Sequence, residues 1–334
     1  MIMKKNEGTD IRDGIADTIG NTPLVRLKHI TAGMSAEIIA KLESFNPGGS
    51  VKDRAGVSMI EDAESRGALR PGGVIVEATA GNTGVGLAIG AASKGYGMIF
   101  VVPDKMSREK IDLLKAFGAE VVITPTAVPS DHPDYYVNRA RAIAKKVPNS
   151  FVPDQFSNAA NPQAHYRTTG PEIWRQTGGK LDFFVAGMGT GGTITGVSRF
   201  LKEKDARIRV IGVDPQGSVY AEYKRRGTIG VAASYKIEGI GEEFIPRTME
   251  MGLVDEVVTV TDKDAFITAR TLAETEGILA GGSSGAALYA ALQIGFGLEK
   301  EGKGKRIVAL LPDTGRNYLT KIFSDDWMKE NGYL

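Results

Sequence analysis

The sequence predicts an α/β fold with two lobes, each an open, mostly parallel sheet flanked by helices. Three observations carry that expectation. Apolar runs of strand length recur at 74–78 (VIVEA), 98–103 (MIFVVP), 120–125 (EVVITP), 182–187 (DFFVAG), 209–214 (RVIGVD) and 306–312 (RIVALLP). They are nearly continuous rather than alternating, as in strands covered on both faces. Helix-like stretches separate many of them, and short glycine-rich loops account for much of an unusual total of 42 glycines. A length of 334 residues suits about two domains.

Composition narrows the function classes. Lys and Arg number 41 against 40 Asp and Glu, a net charge of +1, so no global field favours nucleic acid or an anionic membrane. Cysteine is absent, which excludes disulfides, thiolate metal sites and a cysteine nucleophile. The opening MIMKKNEGTDIRDG has no apolar run after its lysines, and VGLAIGAA falls well short of the roughly 18–20 residues a membrane helix needs. A cytoplasmic protein is the expectation.

In chain order, the first informative loop is 46–54, NPGGSVKDR. Ser50 and Asp53 have the spacing of a helix cap and its returning acid, which puts Lys52 in the first helical turn. A cation there opposes the helix dipole, so its pKa should fall. A lysine that deprotonates easily can form a Schiff base with an aldehyde cofactor. The loop 79–84, TAGNTG, follows a strand and precedes a helix beginning near Thr83, so its N–H groups can receive an anion. Ser107 opens another helix, with Ile111, Leu113, Leu114 and Phe117 apolar and Gly118 as its stop. The proline-rich 124–136 reads as an irregular connection.

The loop 187–193, GMGTGGT, also stands between strand and helix, and phosphate is its natural guest. Thr190 and Thr193 add hydroxyl donors. Gly187, Gly189 and Gly192 satisfy G-x-G-x-x-G, and Asp214 lies at about the offset of a ribose-binding acid. On this segment alone a nicotinamide-dependent oxidoreductase is a fair rival, and a tight turn without ligand is the plainer reading. Further on, 238–241 (EGIG) and 281–285 (GGSSG) complete the set. Ser283 reads either as a helix cap or as a ligand contact.

Taken together, IGNTPLVRL, NPGGSVKDR, TAGNTG, GTGGT and GGSSGA resemble the fold-type II pyridoxal-phosphate β-synthases, which include cysteine synthase and cystathionine β-synthase. The resemblance runs from about Ile15 onward with the motifs in family order, and it sets the dinucleotide reading aside. It implies pyridoxal 5′-phosphate as cofactor and Lys52 as the Schiff-base and catalytic lysine. Asn82 would bond the ring hydroxyl, Gly189, Thr190, Gly191, Gly192 and Thr193 the phosphate, and Ser283 the pyridine nitrogen. Thr79, Ala80, Gly81, Thr83 and Gln155, with Gly239, would bind substrate. A neutral serine at the ring nitrogen favours loss of a β-substituent over transamination.

Within the family, 154–169, 238–246 and 311–334 look like the catalytic core of cystathionine β-synthase. The implied reaction is β-replacement on L-serine, or an O-activated serine, by L-homocysteine through an aminoacrylate, with Glu238 assisting loss of water. The alternative is L-cysteine from O-acetyl-L-serine and sulfide. Phe156 and Glu242 depart from the tyrosines of the animal enzyme. The resemblance also implies a homodimer, a lobe of 1–50 with 155–334 that holds the cofactor, and a smaller mobile lobe of 51–154. No heme and no regulatory domain are expected. His29, His132 and His165 are too scattered for a metal site, 223–227 (YKRRG) reads as a solvated face, and Trp174 and Trp327 as packing residues. A catalytically silent binding protein on this fold finds no support in motifs that are all present.

Overall fold

A computed structural model describes residues 11–79, 81–129, 131–298 and 303–334. The first half of the chain runs β1 (Leu24–Arg26), β2 (Glu37–Leu42), α1 (Lys52–Ser65), β3 (Val74–Glu77), α2 (Asn82–Lys94), β4 (Gly97–Pro103), α3 (Arg108–Ala116), β5 (Glu120–Thr124), α4 (Tyr136–Ala144) and β6 (Ser150–Phe151). The second half runs α5 (Ala160–Arg167), α6 (Thr169–Gln176), β7 (Phe183–Gly187), α7 (Gly192–Lys204), β8 (Arg209–Pro215), α8 (Tyr220–Arg226), β9 (Glu256–Val260), α9 (Asp262–Glu276), α10 (Gly282–Gly297), β10 (Arg306–Leu311) and α11 (Asp325–Glu330).

The strands form two sheets. One has the order β1-β2-β10-β7-β8-β9, parallel except for β1, which pairs antiparallel with β2. The other, β5-β4-β3-β6, is wholly parallel. All six expected strands are present, and the class is α/β.

Side-chain alternation explains why β7, β8 and β10 of the larger sheet read as continuous apolar runs. Val185, Ile211, Val213, Ile307 and Ala309 pack on one face with Leu272 of α9 and Ala286 and Ala290 of α10. Their neighbours Phe184, Ala186, Val210, Val308 and Leu310 pack on the other with Ile194, Val197 and Leu201 of α7. In the smaller sheet Ile75, Met98, Phe100 and Val102 meet Met59, Ile60, Leu87 and Leu114, while Val76 and Val101 meet Ala140 of α4. Residues two apart share a face, so burial of both faces removes the polar half of the pattern.

One local expectation needs correction. Ser50 does not cap α1: Val51 precedes it, the Ser50 hydroxyl accepts the Lys52 N–H at 3.2 Å, and Asp53 accepts the Gly48 N–H at 2.6 Å instead of returning to Ser50. The loop turns too tightly for the reciprocal pair. Leu113 of α3 is exposed, while Ile111 and Leu114 are buried; the helix shows only a narrow stripe to its sheet.

Candidate active site

Four helix N-termini, those of α1, α2, α7 and α10, with the loops that lead into them, carry most of the residues predicted for the site; Gln155, Glu238 and Gly239 come from loops elsewhere. Lys52 is the first residue of α1. The backbones of α1 and α2 cross very closely beside it: a Cβ on Gly86 would lie 2.4 Å from the Lys52 carbonyl oxygen, and one on Gly56 would lie 2.4 Å from the Gly86 carbonyl carbon. Only glycine permits that approach.

Lys52 shares a cleft of about 370 Å³ with Gly187, Gly189, Thr190, Gly191, Thr193 and Gly239, closed off by Ile240 and Pro312. Among the described residues its ammonium has no hydrogen bond or ion pair. Burial lowers its pKa, against the opposing charges of Asp313 and Glu242. The expected downward shift is present, and desolvation is its largest cause.

The loop after β7 is held open from behind. Gly191 takes φ +83°, in the left-handed region, as the residue before α7. The Asn161 amide donates to the Thr190 hydroxyl at 3.1 Å, the Thr248 hydroxyl to the Thr190 carbonyl, and the Tyr220 hydroxyl to the Gly189 carbonyl. His165, fully buried, sets its Nε2 3.3 Å from the Thr193 hydroxyl and its Nδ1 2.9 Å from Thr169. Burial, reinforced by the charges of Arg54 and Lys52, keeps its pKa well below the usual value, so the ring is neutral. His165 therefore orients the cradle, a role its isolated position in the sequence does not announce.

Gly81 precedes α2, and Asn82 opens it, one residue earlier than expected. The Asn82 amide donates to Asp313 at 2.8 Å. The Thr83 hydroxyl donates to the Gln155 side chain at 2.6 Å, which joins two of the predicted substrate residues. Thr79 is buried nearby, 3.2 Å from where a Cβ on Gly84 would stand. Ala80 lies outside the described residues. Ser283 is the second residue of α10, so it does not cap that helix; Gly281 precedes it. It is buried, and its hydroxyl lies 4.0 Å from a Cβ built on Gly239, across the cleft.

Glu238 is bound on both oxygens, by Lys110 of α3 and by Lys321 at 2.6 Å. Burial alone would raise its pKa, but the two ammonium groups outweigh it and lower the value, so Glu238 is ionised. Lys110 and Asp313 are the residues that sequence reasoning missed. Their partners lie 128 and 231 positions away, beyond any local pattern.

Asp214, the candidate ribose acid, is turned away from such a role. It is buried and accepts the Ala221 N–H at 2.8 Å, at the start of α8. The residues present do fit pyridoxal 5′-phosphate: a desolvated, unpartnered lysine stands beside an anion cradle of N–H groups and hydroxyls at the start of α7.

Comparison with known proteins agrees. The pyridoxal-phosphate dependent enzyme family matches residues 15–313. The chain is 48% identical over 324 residues to cystathionine beta-synthase of Dictyostelium discoideum, covering 97% of this chain and 64% of that protein. It is 50% identical over 322 residues to cystathionine beta-synthase of Oryctolagus cuniculus, covering 96% of this chain and 58% of that protein. It thus spans less than two thirds of the length of either. A crystal structure of a hydrogen sulfide-producing enzyme from Fusobacterium nucleatum superposes with a TM-score of 0.84 at 39% identity, covering 92% of this chain and 98% of that one. Fold, cradle, free lysine and relatives lead to one conclusion: the chain belongs to the pyridoxal-phosphate dependent enzymes.

Proposed function

We propose that this chain joins L-serine to L-homocysteine in a β-replacement that yields L-cystathionine and water. The observation that carries this reading is Lys52, a buried amine without a partner beside a phosphate cradle; the two relatives named cystathionine beta-synthase support the substrate pair. Bound pyridoxal 5′-phosphate supplies the electron sink that acidifies the substrate α-carbon and lets the β-substituent depart.

The chain supplies the rest. Gly189 to Thr193 would hold the phosphate, the second N–H of Asn82 would serve the ring oxygen, and Ser283 the ring nitrogen. Thr79, Ala80, Gly81 and Thr83, with Gln155, would grip the α-carboxylate. Lys52, desolvated enough to give up its proton, takes the α-proton and returns it. Glu238 is ionised between two lysines, so it assists the departing hydroxide through the ammonium groups it positions. The Phe156 and Phe244 rings, 5.3 Å apart, form an apolar wall suited to the methylenes of homocysteine. Burial raises Glu242 to about 7, opposed by Lys52, and this carboxyl marks the acceptor side.

The division into 1–50 with 155–334 and 51–154 is supported by strand membership, since β3 to β6 form the smaller sheet and all other strands the larger. A homodimer in the cytoplasm completes the reading; among the described residues no helix is long and apolar enough to cross a membrane.

The Fusobacterium enzyme is named for producing hydrogen sulfide, which supports a second reading for this chain: a donor with sulfur on its β-carbon, such as L-cysteine, would release sulfide in place of water. The test is product analysis with serine, cysteine or O-acetylserine as donor and homocysteine or sulfide as acceptor. Cystathionine from serine is expected. Cysteine from O-acetylserine and sulfide, with no thioether from any donor, overturns the proposal.

A further inference from the structure

We propose that Asp313 is a positioning residue of the cofactor site: held by Tyr318, its carboxylate dictates which way the Asn82 amide faces. The inference rests on reading Asn82 as the contact to the cofactor ring oxygen.

Asp313 follows β10 and is 1% exposed. One carboxylate oxygen, Oδ2, accepts from the Asn82 amide at 2.8 Å and from the Tyr318 hydroxyl at 2.7 Å. The other, Oδ1, occupies the space left by the missing side chain of Gly281, where a Cβ would stand 2.2 Å away. The backbone around Asp313 ties the surrounding loops together. Val51 donates its N–H to Pro312 at 2.8 Å, Thr314 to Gly49 at 3.1 Å, and Gly281 to Asp313 at 3.3 Å, and Ser50 bridges Asp313. The segments that carry Lys52 and Ser283 are thus stitched to the residue whose side chain reaches Asn82.

Burial raises the Asp313 carboxyl's pKa, but Oδ2 already accepts the Tyr318 hydroxyl and so faces Asn82 as an acceptor, whereas an amide has a donating and an accepting end. The carboxylate therefore makes Asn82 turn its –NH₂ toward Asp313. One N–H is used there, and the second remains for an anionic ring oxygen. Without that constraint the amide can rotate by half a turn and set its carbonyl against the same oxygen. Tyr318, five residues further on, donates to the same Oδ2, so the three groups are linked in the order Tyr318–Asp313–Asn82.

The experiment compares Asp313→Asn, Tyr318→Phe, Asn82→Ala and the Asn82→Ala/Asp313→Asn double variant. Each is titrated with pyridoxal 5′-phosphate, and its bound-cofactor absorption spectrum and cofactor-free melting temperature are recorded. Asparagine at 313 keeps the shape but both donates and accepts, so it no longer dictates the orientation. Asp313→Asn is expected to weaken cofactor binding about tenfold, the scale of one charge-assisted hydrogen bond, and to shift the absorption bands. It should add nothing in the Asn82→Ala background, because the two act as one unit. Tyr318→Phe should move both readouts the same way by a smaller factor.

Wild-type spectrum and affinity in Asp313→Asn, while Asn82→Ala shifts both, overturn the role of Asp313 alone. Multiplying effects in the double variant do the same. A wild-type spectrum and affinity in Asn82→Ala overturn the reading of Asn82 itself and the proposal with it. If Asp313→Asn does not fold, Tyr318→Phe decides, and an unchanged spectrum and affinity there overturn the proposal.

Discussion

Two cations stand two residues apart at the start of α1 and meet opposite fates. Arg54 is buried and uses all three nitrogens of its guanidinium: it bonds Glu43 at 2.7 and 2.9 Å, Glu172 at 2.8 Å twice, and the hydroxyls of Thr168 and Thr22. Lys41 closes the cluster on Glu172 at 2.8 Å, so two cations meet two carboxylates and the buried charge sums to zero. Lys52 has no such partner. Burying a charge is costly unless it is paired and hydrogen-bonded. The satisfied cation anchors α1 to the turn that follows β2 and to α6, and the unsatisfied one is left for chemistry. A buried charge with every valence filled marks scaffold, and one with none filled marks the site.

That contrast can be broken at several points. The largest effect is expected from Lys52→Ala: turnover should fall by about a thousandfold or more, and borohydride should no longer fix the cofactor to the chain. Stability to urea should be unchanged or improved, since the variant removes a desolvated charge. A Lys52→Ala protein that retained wild-type turnover would remove the basis of the comparison.

Arg54→Ala should show the reverse pattern. It strips Glu43 of its ion pair and leaves Glu172 with Lys41 alone, which costs about 3–5 kcal/mol and should appear as a lower urea midpoint at unchanged slope. Excess cofactor should restore activity only as far as it restores the folded fraction.

Glu172 sharpens the comparison through pH. Burial would raise its pKa, but Arg54 and Lys41 outweigh it and hold the carboxyl at about 2, below its ordinary 4.5. Its folded value is depressed, so its stabilisation is present above about pH 4.5 and lost as pH falls toward 2. The shift corresponds to roughly 3 kcal/mol. Glu172→Gln should be much less stable than wild type at pH 7, with the gap closing in acid.

Glu77 is the smallest case and has the opposite sign. Among the described residues it is buried without an ion pair; the Asp154 and Gln155 N–H groups at 3.1 and 3.4 Å and the charge of Arg141 lower its pKa, but burial outweighs them and raises it to about 7. A raised folded pKa gives stabilisation that is present below about pH 4.5 and lost as pH rises through 7. Relative to wild type, Glu77→Gln should melt higher at pH 8.5 than at pH 5.5, by an amount worth about 1–2 kcal/mol. An equal difference at both pH values would contradict the assignment.

The legible and illegible parts of the molecule divide along the same physical line. Five of the six strands could be read because burial on both faces leaves an unbroken apolar run; β5, at the sheet edge, keeps its apolar run although Ile123 is exposed. The short β1 and β6, of three and two residues, are too brief for any period. In β2 and β9 charged or polar residues interrupt the run: Lys41 reaches Glu172 from inside the strand, and Glu256 lies at an exposed strand end. The cradle was legible because anion binding at a helix N-terminus needs glycine and hydroxyl residues at adjacent positions. The Ser50 and Asp53 cap was misplaced because loop geometry, rather than residue type, decides which N–H the acid meets.

The sequence by itself determined the α/β class, the helix-start loops and the residue types able to hold an anion and an aldehyde, because each depends on neighbours within a turn or two. Only the tertiary structure decided which charges are spent. Lys52 and Arg54 have nearly the same sequence surroundings, yet Arg54 meets carboxylates 11 and 118 positions away and Lys52 meets none. Charge pairing acts through space at a few ångströms, so chain folding chooses the partners.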